Sequence, residues 1–160
     1  MATIEWDRRA SAGRYLIVVS KFNKWITERL LIGAVTKFKE LGCQNDAVDI
    51  AWVPGSFELP IVARVGAESG KYRAVICLGA IIKGETTHDE HVATGCVAGI
   101  QKAMQETGVP IMLGVITADT VEKAEARSII SGGRNMGADA ASAAVETVSA
   151  IENLRRHMGT

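Results

Sequence analysis

Nine consecutive residues without a charge, Ala74 to Ile82, run into the polar turn Lys83-Gly84-Glu85-Thr86-Thr87-His88. Nine is the length of a strand buried on both faces and far too short to span a bilayer. Beyond the turn, Val92, Cys96, Gly99 and Ile100 are spaced by three or four, as on one face of a helix. A buried strand therefore feeds a Gly-bearing turn, and the turn feeds a helix start. In an open α/β sheet, ligands bind just outside the carboxyl ends of the strands. Thr86, Thr87 and His88 stand at such an end, and amides at the start of a helix suit an anion.

The rest of the chain repeats that unit. Tyr15 to Val19 reads as a buried strand ending at Ser20-Lys21-Phe22-Asn23. Thr27 and Glu28 open a helix with Leu30, Leu31, Ala34, Val35 and Phe38 at helical spacing, and Gly42 stops it. Val48 to Val53 is a second strand, cut by Pro54-Gly55. Ser56 is placed to cap the next helix, Pro60 falls in its first turn, and Gly70 ends it. Gly108 closes the helix after the third strand, and Pro110 leads into the fourth, Ile111 to Thr117. Asp119 with Glu122 reads as a capping box for a helix through Arg127. Ile130 to Gly133 interrupts, and a last Ala-rich helix runs from about Gly137 to Arg156. Residues 1–13 have little pattern and read as an arm, disordered alone or laid on a neighbour.

Strand then helix, four times over, calls for α/β architecture: a parallel sheet with helices on both faces, joined by right-handed crossovers. All four strand-to-helix turns then lie along one edge. Phe22-Asn23, Pro54-Gly55-Ser56-Phe57-Glu58, Gly84-Glu85-Thr86-Thr87-His88 and Thr117-Ala118-Asp119 should gather there. They supply two aromatic rings, an acid, hydroxyls, backbone donors and a histidine. That inventory suits a small, planar, polar ligand with an anionic group.

Composition narrows the classes. A chain of 160 residues favours one domain, here 1–160 with the arm at 1–13. The apolar fraction reaches 48% without glycine, a surplus that points to surface covered by partner subunits. Lys plus Arg equal Asp plus Glu at 18 each, so no basic excess points to nucleic acid. No segment suits a membrane or a secretory leader. Cys43, Cys77 and Cys96 lie in apolar segments and read as reduced, buried thiols of a cytoplasmic protein.

Single residues carry competing readings. His88 is a candidate for proton transfer, because histidine gains and loses a proton near neutral pH; the alternative is a helix-capping residue. His88 and His91 share a helix face, yet no third metal ligand stands at a supportive spacing. Gly84-Glu85-Thr86-Thr87 is an anion loop only through its backbone, since the Glu85 side chain would repel phosphate. Arg127 lies eight residues beyond Asp119, about 12 Å along a helix from the ligand edge. It is either a solvated residue or one that serves the crevice of an adjacent subunit, where a guanidinium fits phosphate. Phe22 and Phe57 each follow a strand end, where ligand stacking weighs at least as much as core packing. Trp25 and Trp52 read as packing or interface residues.

Four blocks together resemble a known family. They are Val19-Ser20-Lys21-Phe22-Asn23, Trp52-Val53-Pro54-Gly55-Ser56-Phe57-Glu58-Leu59-Pro60, Gly79-Ala80-Ile81-Ile82-Lys83-Gly84-Glu85-Thr86-Thr87-His88 and Gly114-Val115-Ile116-Thr117. In order and spacing they are similar to the 6,7-dimethyl-8-ribityllumazine synthases of riboflavin biosynthesis. The resemblance implies a three-layer sandwich whose four parallel strands take a flavodoxin-like order. It implies condensation of 5-amino-6-(D-ribitylamino)uracil with 3,4-dihydroxy-2-butanone 4-phosphate, with no metal or organic cofactor. By the family pattern, Phe22 and Asn23 meet the pyrimidine, and Ser56, Phe57 and Glu58 hold the ribityl chain and ring. Ile81 and Ile82 bound the ring pocket, Gly84, Glu85 and Thr86 take phosphate through the turn, and His88 shuttles protons. Arg127 would bind phosphate across a subunit boundary. Two positions depart from the pattern: Asn135-Met136-Gly137 lacks the usual lysine, with Arg134 just before it, and Leu113 stands where an aromatic is common. The family forms pentamers, some of which close into shells. The bulky segment Ser128 to Asn135 favours a homopentamer or a pair of pentamers over a shell. A non-catalytic flavin- or lumazine-binding oligomer of the same fold is the alternative.

Overall fold

The computed structural model describes all residues from Met1 to Thr160. In chain order the elements are β1 (Arg14–Ser20), α1 (Lys24–Glu40), β2 (Val48–Val53), α2 (Leu59–Glu68), β3 (Tyr72–Ile82), α3 (His88–Thr107), β4 (Ile111–Ala118), α4 (Val121–Glu125) and α5 (Met136–Met158). Every strand pair is parallel, in the order β2-β1-β3-β4. This is the expected α/β class and flavodoxin-like order, and its topological switch point lies between β1 and β3.

Both faces of the sheet are covered, which explains the uncharged runs. Tyr15, Ile17 and Val19 of β1 join Ala74, Ile76 and Leu78 of β3 in a layer with α1 and α5. Leu16, Val18, Val75 and Cys77 point the other way, into a layer with α2 and α3. A strand buried on both faces has no polar side to show. The three cysteines are free, and Cys77 and Cys96 are buried. Burial pushes the Cys96 thiol up to about 11 and raises that of Cys77 further. No helix is long and apolar enough to cross a membrane.

The amino edge of the sheet is tied by Asp49. It accepts hydrogen bonds from Arg14 Nη2 at 2.5 Å and Tyr72 Oη at 2.7 Å, and pairs with Lys71 Nζ at 3.1 Å. One carboxylate thus joins the starts of β1, β2 and β3. The Arg14 bond first, then Tyr72, holds Asp49 well below the usual carboxylate range.

Several element starts differ from those read in the sequence. α1 begins at Lys24, not Thr27. Thr27 is buried, and its hydroxyl donates to the Ser20 carbonyl at 2.8 Å, so it fastens the first turn to the end of β1. Ser56 does not cap α2. It sits in a 3₁₀ turn, Ser56–Glu58, and the N-cap position falls to Glu58. α4 is capped by Thr120, whose hydroxyl accepts from the Lys123 amide at 3.3 Å. Asp119 binds the Lys123 ammonium at 2.8 Å instead of forming a capping box. α4 ends at Glu125, so Arg127 lies in the following loop. The arm lies on its own chain: Asp7 N donates to Ser149 Oγ at 2.7 Å, Asn153 Nδ2 to Glu5 O at 2.7 Å and Ala10 N to Leu41 O at 2.8 Å.

Candidate active site

The turns at the carboxyl edge are fastened to one another. Lys21 N donates to Val53 O at 2.8 Å and Phe22 N to Pro54 O at 3.0 Å, joining the first turn to the second. Asn23 adopts a left-handed backbone, φ 56°, unusual for a residue with a side chain. In that pose its Nδ2 donates to Ala80 O at 2.8 Å, which bridges the β1 turn to β3 across the switch point. Lys83 N donates to Ala118 O at 2.8 Å, joining the third turn to the fourth.

The two rings at this edge are open to solvent. Phe22 is 71% exposed and Phe57 61%, so neither is core. Phe57 lies against Gly95 of α3, where a Cβ would stand 2.7 Å from a ring carbon. Glu58 turns back over Gly55, its Oε2 3.1 Å from where a Cβ would be. Ser56 Oγ and Ser20 Oγ both lie over Gly79, 2.5 Å and 3.4 Å from its absent Cβ. Ser20 Oγ is buried with no hydrogen-bond partner. Ile81 is buried and Ile82 half-buried at the end of β3.

Lys83 to His88 are exposed. His88 N donates to Thr86 Oγ1 at 3.3 Å, and Gly84 N faces Asp89 Oδ1 at 3.5 Å. The amides of Glu85, Thr86 and Thr87 meet no acceptor in the chain, and a Cβ on Gly84 would meet nothing within 4 Å. The turn therefore offers free donors in open space at a helix start, the requirement for an anion. His91 is exposed one turn on. No three His, Cys, Asp or Glu side chains converge so as to hold a metal ion.

One chain brings together Phe22, Asn23, Ser56, Phe57, Glu58, Ile81, Ile82, Gly84, Glu85, Thr86 and His88 along this edge. It does not bring Arg127 or Leu113 there. Leu113 lies in the middle of β4, opposite Cys77, and is 45% exposed on the outermost strand. Arg127 follows α4 and is half-buried, its Nη1 donating to Lys123 O at 3.0 Å. Trp25 and Trp52 are exposed, with Arg29 and Lys24 over their rings at 5.7 Å and 5.4 Å. Sequence reasoning put Ser20 at this edge without a role, and missed Thr27, Gly79 and Gly95 as parts of it. The two glycines were the available signal, because glycine inside a strand or helix marks a close approach.

Residues 12–152 match the sequence model of the family described as 6,7-dimethyl-8-ribityllumazine synthase. Proteins bearing that name in Xylella fastidiosa strains M12 and M23 are each 42% identical over 154 residues, covering 96% of this chain and 99% of theirs. The order of blocks along the chain, the parallel sheet with its switch point and these similarities agree, and the chain belongs to the 6,7-dimethyl-8-ribityllumazine synthase family.

Proposed function

We propose that the chain is a single-domain synthase, residues 1–160, acting in riboflavin biosynthesis. It condenses 5-amino-6-(D-ribitylamino)uracil with 3,4-dihydroxy-2-butanone 4-phosphate to give 6,7-dimethyl-8-ribityllumazine, phosphate and water. The observation that carries this reading is the meeting of Phe22-Asn23, Ser56–Glu58 and the Ile81–His88 segment at the switch point of a chain from this family.

The 5-amino nitrogen adds to the ketone carbon, and the adduct loses water to give an imine. Removal of a proton beside the imine lets the C–O bond to phosphate break. Loss of phosphate leaves an enol, which takes up a proton at its terminal carbon to become a methyl ketone. The ribitylamino nitrogen closes the ring on that new carbonyl, and a second water leaves. Each step moves a proton, and His88, exposed at the mouth of α3, is the group assigned to carry it. These are additions, eliminations and proton transfers, so the reading assigns no metal or organic cofactor. Phe22 stacks on the pyrimidine, held in place by Asn23. Ser56, Phe57 and Glu58 take the ribityl chain and ring, and Ile81 and Ile82 bound the pocket. Glu85 and Thr86 take phosphate through backbone amides, in the open space that Gly84 leaves beside them. Holding two reactants in line contributes several kcal/mol, on the order of what effective-concentration effects supply.

Arg127 and Leu113 are assigned to the site of an adjacent subunit in a homopentamer or a pair of pentamers. Exposed apolar side chains on two different faces support this. Ile50, Trp52, Ile61 and Val65 lie on the β2–α2 side, and Leu113, Val121, Ile129 and Ile130 on the β4–α4 side. Two unlike faces that fit one another make a head-to-tail ring. The reading places the enzyme in the cytoplasm, where Cys43, Cys77 and Cys96 stay reduced.

Mixing the protein with both substrates and following lumazine absorbance tests the reading. Product formation is expected, and chelators should not slow it. Tight riboflavin binding without turnover would make the protein a non-catalytic binder instead.

A further inference from the structure

The segment between α4 and α5 carries Arg127 at one end and Asn135 at the other. It folds as a short antiparallel ribbon. Ser128 pairs with Asn135, Ile129 N donates to Arg134 O at 3.0 Å, and Met136 N donates to Arg127 O at 2.9 Å. The Arg127 carbonyl is therefore held by the residue next to Asn135.

Asn135 is 6% exposed, and its side chain makes four hydrogen bonds. Oδ1 accepts from Gly137 N at 2.9 Å and Ala138 N at 3.1 Å, which caps α5. Nδ2 donates to Arg29 O at 3.0 Å and Ile129 O at 3.3 Å. One amide thus ties the ribbon to α1 and to the start of α5. Two glycines make the room: a Cβ on Gly33 would overlap the Asn135 side chain, and one on Gly137 would strike the Leu30 carbonyl. Capping alone needs only an acceptor oxygen, which Ser or Asp would supply equally well. The two donated bonds exceed that need, and one of them fixes α1 against the ribbon. Arg134 takes no part through its side chain, which is paired with Asp139 at 3.2 Å.

From this we infer that Asn135 is a positioning residue for Arg127. Its amide donors hold the ribbon so that the guanidinium reaches the phosphate of the neighbouring subunit's substrate. The inference rests on the assignment of Arg127 made above.

Two variants separate clamping from capping. Asn135→Asp keeps the shape and the cap but sets a carboxylate oxygen against two carbonyls. Asn135→Ser keeps a capping oxygen and removes the amide NH2 that makes both donated bonds, without adding charge, and it carries the test if the Asp variant fails to fold. Each is assayed as assembled enzyme with both substrates, alone and combined with Arg127→Ala. Each should raise the KM of the phosphate-bearing substrate about fivefold or more, the worth of even one of the two lost hydrogen bonds. The pyrimidine KM should stay within about twofold, and in the Arg127→Ala background neither variant should add to the defect. An unchanged phosphate-substrate KM, equal rises in both KM values or effects additive with Arg127→Ala would overturn the clamp alone. Arg127→Ala without effect on that KM would overturn the assignment of Arg127, and the clamp with it.

Discussion

A proton shuttle and a floor of glycines place different demands on single residues. His88 has to be reachable, and it is exposed at a helix start. His88→Ala should lower kcat by roughly a hundredfold and leave both KM values nearly unchanged, because positioning survives the loss of one acid–base group. Steady-state kinetics at saturating substrate will show it; abolition of activity, or none lost, would contradict the role. Gly79 has to be absent of side chain. Gly79→Ala places a methyl 2.5 Å from Ser56 Oγ and 3.2 Å from Leu59 Cδ1. Overpacking of this kind costs about 1–3 kcal/mol, which urea unfolding will measure. The Ser56 turn should shift as well, raising the KM of the pyrimidine. The sequence marked His88 by its place at a strand end, whereas the use of Asn23 was hidden. That use depends on a left-handed backbone and a carbonyl on β3, 57 positions away.

Elements were legible wherever burial decided them. β3 was visible as an uncharged run because helices cover it on both faces; β2, with only Val53 buried, matched residue for residue because Pro54-Gly55 marks its end. Helix starts were less legible, because long-range contacts override capping preferences. Thr27 has a capping hydroxyl and spends it on the Ser20 carbonyl; the Ser56 hydroxyl caps nothing and lies over Gly79. The amino edge shows the same principle with charge. Asp49 holds three strand starts together, and its carboxyl is held below the ordinary value by Arg14 first and Tyr72 next. A lowered folded value means that the unfolded chain binds the proton first as pH falls. The stabilisation is therefore complete above about pH 4, the ordinary carboxylate value, and is lost as pH drops through the folded value. Asp49→Asn should lower the melting temperature at neutral pH and flatten its fall below about pH 4. Thermal melts across that range will check both parts.

At the scale of the whole molecule, the site is divided between copies in the proposed ring. A head-to-tail interface predicts complementation. His88→Ala and Arg127→Ala subunits unfolded together and refolded as a mixture should regain activity, since about a quarter of the junctions join an intact His88 to an intact Arg127. Mixing without refolding should regain none, and failure after refolding would place both residues in one subunit's site. Sedimentation should give five or ten subunits, and a sixty-subunit particle would overturn the assembly. The apolar surplus in the composition hinted at this association, but which faces meet was not readable, because it depends on how β2 and β4 come to be the outer strands.

The two sulfurs locked in the α2–α3 layer have a practical use. Burial keeps Cys96 protonated far above neutral pH and Cys77 more so. Only a thiolate reacts readily with alkylating reagents, so both should resist them in the intact protein. Mass spectrometry after timed exposure would then report how often that layer opens, with Cys96 on the helix marking detachment of α3 and Cys77 on the central strand marking global unfolding.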